Sequence, residues 1–184
     1  MKNTKALLII DMQKGAFTPE AKQLDTKGVV NRINQLSQLF RTLEFPVLFI
    51  QHNGKKFNML LPNSTEWQLL DELNVGPTDY FINKKSNDAF YNTQLQSILT
   101  KLKIKELYIS GAATDFCVNS TIQSALVKDF FVVVVEDAHT TGLRPYVKTE
   151  DIINHYNWVW KNLIPTNGKI TVKNTEHIKN YLTK

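Results

Sequence analysis

Cys117 is the only cysteine in the chain, and its neighbours would change its chemistry. Leu107-Tyr108-Ile109 is a short apolar run that reads as a buried strand. Ser110-Gly111-Ala112-Ala113-Thr114 is a turn of small residues, and Val118, Thr121, Ile122 and Ala125 then fall on one face of a helix. Asp115 stands where an N-cap belongs, so Cys117 is expected in the first helical turn. Free N–H groups and the macrodipole would there favour a thiolate, lowering its pKa from about 8.5 toward neutrality. The same amides could hold an oxyanion. The plainer reading of a lone cysteine is a small apolar core residue.

Two further groups have a comparable position. Asp11 follows the apolar run Lys5 to Ile10, and Lys84 follows Tyr80-Phe81-Ile82. An aspartate after a strand is ordinarily a turn former, and a lysine in a polar loop is ordinarily solvated. Asp11, Lys84 and Cys117 nevertheless each stand just past an expected strand end, which makes the set more specific than any member.

The elements that must bring them together are legible as periodicities. Val29, Ile33, Leu36, Phe40 and Leu43 step by four and three along an amphipathic helix. Val47 to Ile50 is a second strand, residues 51–66 a long loop, and residues 67–73 a short helix. Thr93-x-x-Gln96 reads as a capping box ahead of Leu95, Ile98, Leu99 and Leu102. Phe130 to Val135 is β-branched through its centre, as in a strand buried on both faces, and is expected to give way to a loop at Glu136. A helix over residues 149–163, a weak strand over 169–172 and a terminal helix from Thr175 complete the pattern. Strands alternating with helices predict an α/β fold with a parallel sheet and right-handed crossovers. Ligands in such sheets bind beyond the carboxyl ends of the strands, at the switch in strand order.

The chain has 184 residues, 42% of them hydrophobic and 21% charged, which predicts one globular domain over residues 1–184. A single cysteine allows no internal disulfide and points to a reducing cytoplasm. No apolar run approaches membrane-spanning length. The net charge of +5 is spread, with no lysine run longer than Lys55-Lys56 or Lys84-Lys85, so neither nucleic acid nor membrane is expected as a partner. No G-x-G-x-x-G and no P-loop follows the first strand, which argues against nucleotide binding.

On Leu7 to Gln13 with Phe17, Lys84 to Phe90 with Thr93, Gly111 to Val118 with Thr121, and Asp137-Ala138, the chain resembles the isochorismatase-like cysteine hydrolase superfamily. The resemblance implies a six-stranded parallel, Rossmann-like sheet of order 3-2-1-4-5-6 with helices on both faces. It implies an Asp-Lys-Cys triad of Asp11, Lys84 and Cys117, and a cis peptide at Ala112-Ala113. The Ala113 and Cys117 amides would form an oxyanion hole. The chemistry implied is hydrolysis of a small amide or lactam through a thioester, with no cofactor. The family's common dimers and tetramers imply a homo-oligomer.

Nicotinamidases of the superfamily carry Asp-x-His and a later His after the second strand. Here the place reads Gln51-His52-Asn53-Gly54, so no catalytic metal is expected. Isochorismatases of the siderophore type lack the cysteine, which favours amide over vinyl-ether hydrolysis. A non-catalytic ligand-binding member is the alternative from another class. The His52-Asn53-Gly54 loop and the segment Asp137 to Thr141 look most like the streptothricin hydrolase branch. Phe17, His52, Trp67, Tyr91 and Phe116 are the expected pocket walls.

The lysine pair yields a test. In the family pattern the lysine stands six positions before an aromatic, and counting back from Phe90 selects Lys84. Adjacent residues of an extended chain point to opposite sides, so Lys85 should be solvated. Lys84→Ala is expected to lower turnover by on the order of a hundredfold or more, since losing one partner of a buried charge pair costs about 3–5 kcal/mol. Lys85→Ala should be near neutral. The reverse pattern would move the register by one residue.

Overall fold

A computed structural model describes residues 5–54 and 60–184. Lys55-Lys56 and the middle of the loop expected over residues 51–66 lie outside the described residues. Six strands form one parallel sheet: β1 (Lys5–Ile10), β2 (Val47–His52), β3 (Tyr80–Lys84), β4 (Glu106–Ala112), β5 (Phe131–Thr140) and β6 (Ile170–Lys173), in the order β3-β2-β1-β4-β5-β6. The helices are α1 (Thr26–Thr42), α2 (Leu95–Lys101), α3 (Asn119–Leu126), α4 (Thr149–Asn162) and α5 (Thr175–Leu182). This is the α/β architecture and strand order read from the sequence.

Alternation along β1 divides the core. Leu8 and Ile10 face a cluster with Leu95, Leu99, Ile122 and Trp160, from α2, α3 and α4. Leu7 and Ile9 face the other way, against Val30, Ile33 and Phe40 of α1 and Ile178 of α5. A strand with helices on both sides must be apolar throughout, and Ala6 to Ile10 are all fully buried. Each such Leu or Ile contributes roughly 1.5–3 kcal/mol by leaving water.

The chain runs β1-β2-β3 outward and then returns to lay β4 beside β1, so the switch point falls between the ends that carry Asp11 and Cys117. Those two ends approach very closely. Gly111 has φ +112, and a Cβ there would stand 2.2 Å from the Ile10 carbonyl oxygen. Only glycine combines that backbone with that contact.

Four local expectations are corrected. β5 does not stop at Val135 but continues to Thr140, with the register against β4 jumping from Ile109↔Val134 to Gly111↔His139. A bulge absorbs the intervening residues and lets pairing resume up to the turn that carries Cys117. β3 runs on through Lys84, because its pairing with β2 extends to His52↔Lys84. Residues 67–73 form no helix. They lie along the loop after β1, where the Lys14 amide donates to Gln68 O and the Leu70 amide donates to Met12 O. The capping box does not close: Thr93 Oγ1 donates to Ala89 O and accepts from the Leu95 amide, while Gln96 turns to Thr100.

The extension of β5 buries His139. Its Nδ1 accepts from Thr114 Oγ1 at 2.8 Å, and its Nε2 donates to Asn157 Oδ1 at 3.1 Å. Trp160 packs edge-on at 5.1 Å. Burial lowers the imidazole pKa to about 4, so folded His139 is neutral while an unfolded one protonates near 6.5. Between those values the unfolded state binds more protons, and stability falls as pH falls. The wild type should lose about 3 kcal/mol more than His139→Gln between pH 7 and pH 4. Urea unfolding at both pH values measures it, and equal losses in the two proteins would refute the assignment.

Candidate active site

β3 alternates Ile82 and Lys84 inward with Phe81, Asn83 and Lys85 exposed. The Lys84 side chain is 0% exposed. Its Nζ stands 2.7 Å from Asp11 Oδ2, 2.9 Å from Ser86 O, 3.1 Å from His52 Nδ1 and 3.2 Å from Cys117 Sγ. Asp11 leaves β1 with φ 49, a left-handed turn that aspartate tolerates better than most residues, and its amide donates to Ile50 O at 2.9 Å. Its second oxygen, Oδ1, is buried without a partner among the described residues. A buried ammonium costs several kcal/mol in desolvation unless a counter-charge and hydrogen bonds replace water. Asp11, Ser86 and His52 supply them here.

Cys117 rides on a wide turn. Thr114–Val118 is π-helical, with the Val118 amide donating to Ala113 O and the Asn119 amide to Thr114 O, and α3 follows directly. The Ala112–Ala113 peptide that precedes it is cis. Asp115 is not the N-cap, because the turn begins one residue earlier and Arg144 takes the carboxylate. Arg144 Nε and Nη2 donate to Asp115 at 2.7 and 2.9 Å, and Thr141 Oγ1 donates at 2.6 Å. Burial opposes the charge on Asp115, but these hydrogen bonds outweigh it and hold the carboxyl below its ordinary range.

The expected low thiol pKa is also corrected. Burial pushes the Cys117 thiol up to about 12; the Asp11 charge adds to this, and Lys84 opposes it. Desolvation outweighs whatever the turn's amides contribute, so Cys117 rests as a thiol. His52 is lowered by burial and then by the Lys84 charge. It is therefore neutral, with its Nδ1 lone pair toward the ammonium.

The expected pocket residues divide. His52 lies beside Asp11, Lys84 and Cys117. Tyr91 is 63% exposed and lines a cleft of about 810 Å³ shared with Asn53, Lys84 and Ser86. Trp67 braces that cleft from behind, its Nε1 donating to Asn53 Oδ1 at 2.7 Å. Phe116 is not among the cleft's lining residues; the Arg144 guanidinium lies 4.8 Å over its ring. Phe17 packs against the α1-side core cluster instead.

Two contributors escaped the sequence reading. Asn87 places Oδ1 3.6 Å from the Cys117 sulfur, and nothing in its polar loop distinguished it. Gln13 is fully buried; it donates to Trp67 O, accepts from the His52 amide, and so fixes the end of β2. Its place two residues past Asp11, in a segment otherwise expected to be loop, was the available signal.

Residues 5–150 match the Isochorismatase domain. The chain belongs to the isochorismatase family. It is 28% identical over 141 residues to a streptothricin hydrolase of Streptomyces noursei, covering 77% of this chain and 56% of that one. The chain thus spans about half the length of that relative. It is 30% identical over 151 residues to nicotinamidase 3 of Arabidopsis thaliana, covering 74% of this chain and 73% of that one. A solved isochorismatase family structure superposes with a TM-score of 0.83 at 30% identity, over 91% of this chain and 98% of that one.

The metal arrangement of the family's nicotinamidases does not fit here. After β2 the chain reads Gln51-His52-Asn53-Gly54, with no Asp-x-His, and the Gln51 Nε2 donates to Trp67 O at 3.1 Å. Among the described residues, Asp11, His52 and Cys117 do bring ligand atoms within 4.8 Å of one another. The Lys84 ammonium touches all three, so a divalent ion has no room while it is in place.

The raised thiol pKa predicts slow alkylation. Iodoacetamide should modify Cys117 slowly at pH 7, with a rate rising about tenfold per pH unit as the thiolate fraction grows. Asp11→Asn removes the charge that raises the thiol and should speed alkylation while abolishing turnover; Lys84→Ala should slow it. A pH-independent rate between 6 and 9 would show a resting thiolate instead.

Proposed function

We propose that this protein cleaves the C–N bond of a small amide or lactam through a Cys117 thioester. The observation that carries the reading is the Lys84 ammonium set between Asp11 Oδ2 at 2.7 Å and Cys117 Sγ at 3.2 Å, with Asp11 Oδ1 buried and unpartnered. Because burial keeps the thiol protonated at rest, the proton must leave as the sulfur attacks. Asp11 is the base that receives it, and Lys84 holds the charge that appears on sulfur.

The S–C bond forms as the carbonyl π pair moves to oxygen, where the Ala113 and Cys117 amides are the proposed donors. Collapse of that intermediate breaks the C–N bond, and Asp11 returns its proton to the leaving amine. Asp11 then takes a proton from water as it attacks the thioester; the C–S bond breaks, the acid is released, and Asp11 returns the proton to the sulfur. Every step uses groups of this chain. Nucleophilic attack also gives the thiol a role that vinyl-ether hydrolysis would leave without purpose. The streptothricin hydrolase and nicotinamidase likenesses support amide chemistry.

A screen of small amides and lactams for ammonia or amine release tests the reading, with Cys117→Ala as control. Turnover should disappear in the variant and should survive chelators. Ligand-induced thermal shifts without product, unchanged by Cys117→Ala, would instead identify a non-catalytic binder.

A further inference from the structure

The centre of the site has the donor set of a metal site and a lysine where the metal would stand. Asp11 offers a carboxylate, His52 an imidazole nitrogen and Cys117 a sulfur, all within 4.8 Å of one another. Three such ligands with a fourth position open are a composition that zinc and cobalt accept. We propose that the Lys84 ammonium occupies a latent soft-metal site formed by Asp11, His52 and Cys117, and that a neutral side chain at position 84 opens it to zinc or cobalt.

Three observations carry this beyond proximity. First, the ammonium already uses these atoms as its ligands, at 2.7, 3.1 and 3.2 Å. Second, Asp11 is 6% exposed and its Oδ1 has no hydrogen-bond partner among the described residues, so a buried acceptor is left over that one ammonium does not satisfy. Third, the binding step balances in charge. With Lys84 neutralised, a divalent ion binds as M²⁺ + Cys–SH → Cys–S–M⁺ + H⁺, the proton leaving to solvent. The ion's two charges then stand against one carboxylate and one thiolate, and the site is neutral. Metal bonds of about 2.0–2.3 Å are shorter than the ammonium contacts, so the ligands must draw inward. His52, which is only partly buried, can follow.

Cobalt titration reads this out without any substrate, so its result is independent of the amide assignment. Lys84→Met should bind one equivalent of Co²⁺, with tetrahedral visible bands and a near-ultraviolet thiolate-to-cobalt band. The double variant Lys84→Met/Cys117→Ser should lose the latter. The wild type should bind at least about a hundredfold more weakly, and zinc should not protect its Cys117 from iodoacetamide. Lys84→Gln serves as the second neutral variant, and circular dichroism establishes folding before titration. A wild type that takes up cobalt with a thiolate band, or is protected by zinc, overturns the proposal. So do folded Lys84→Met and Lys84→Gln that bind cobalt no better than wild type, or a near-ultraviolet band that survives Cys117→Ser.

Discussion

The site depends on one fully buried ammonium. Lys84 is carried to the end of an edge strand and reaches across the end of β2 to the carboxylate that follows β1. Taking that charge out of water costs several kcal/mol, recovered only if each acceptor is in place. The surrounding structure supplies them in turn. Gln13 fixes the end of β2 and with it His52, the loop after β3 turns back to offer the Ser86 carbonyl, and the left-handed turn at Asp11 aims the carboxylate. Removing any of these leaves the ammonium short of a partner, so the same contacts serve stability and chemistry.

Cys117 is positioned by a different device. β1 and β4 meet at Gly111 more closely than any side chain would allow, which brings the turn carrying Cys117 over Asp11. The turn is then held from two sides. Thr114 bonds to buried His139, which the bulged continuation of β5 delivers. Asp115 and Phe116 are gripped by Arg144. Several contacts thus fix the residues flanking the cysteine, while Lys84 and Asn87 meet the sulfur itself. Positioning of this kind lets a nucleophile react without strong intrinsic activation.

Within the isochorismatase family this chain departs from the nicotinamidase arrangement at the end of β2. The segment Gln51 to Gly54 holds no Asp-x-His; Gln51 hydrogen-bonds a carbonyl there, and His52 leans on Lys84. The resulting site is built around an organic cation.

The sequence by itself determined the layered sheet, because apolar strands alternating with amphipathic helices have few ways to bury both faces of a strand. It also singled out Asp11, Lys84 and Cys117, since each follows or ends such a strand, and the two-residue period of β3 separated Lys84 from Lys85. Tertiary structure alone decided the rest. The continuation of β5 past Val135 depends on β4 still offering partners beyond its own bulge, which no local pattern in Glu136 to Thr140 encodes. The place of Asp115 was decided by Arg144, 29 residues away. The state of Cys117 was decided by burial and by the Asp11 charge, whereas its local turn argued for the opposite shift. Local propensity reports on a residue's own segment, while desolvation and charge report on everything packed around it, and at this site the second is larger.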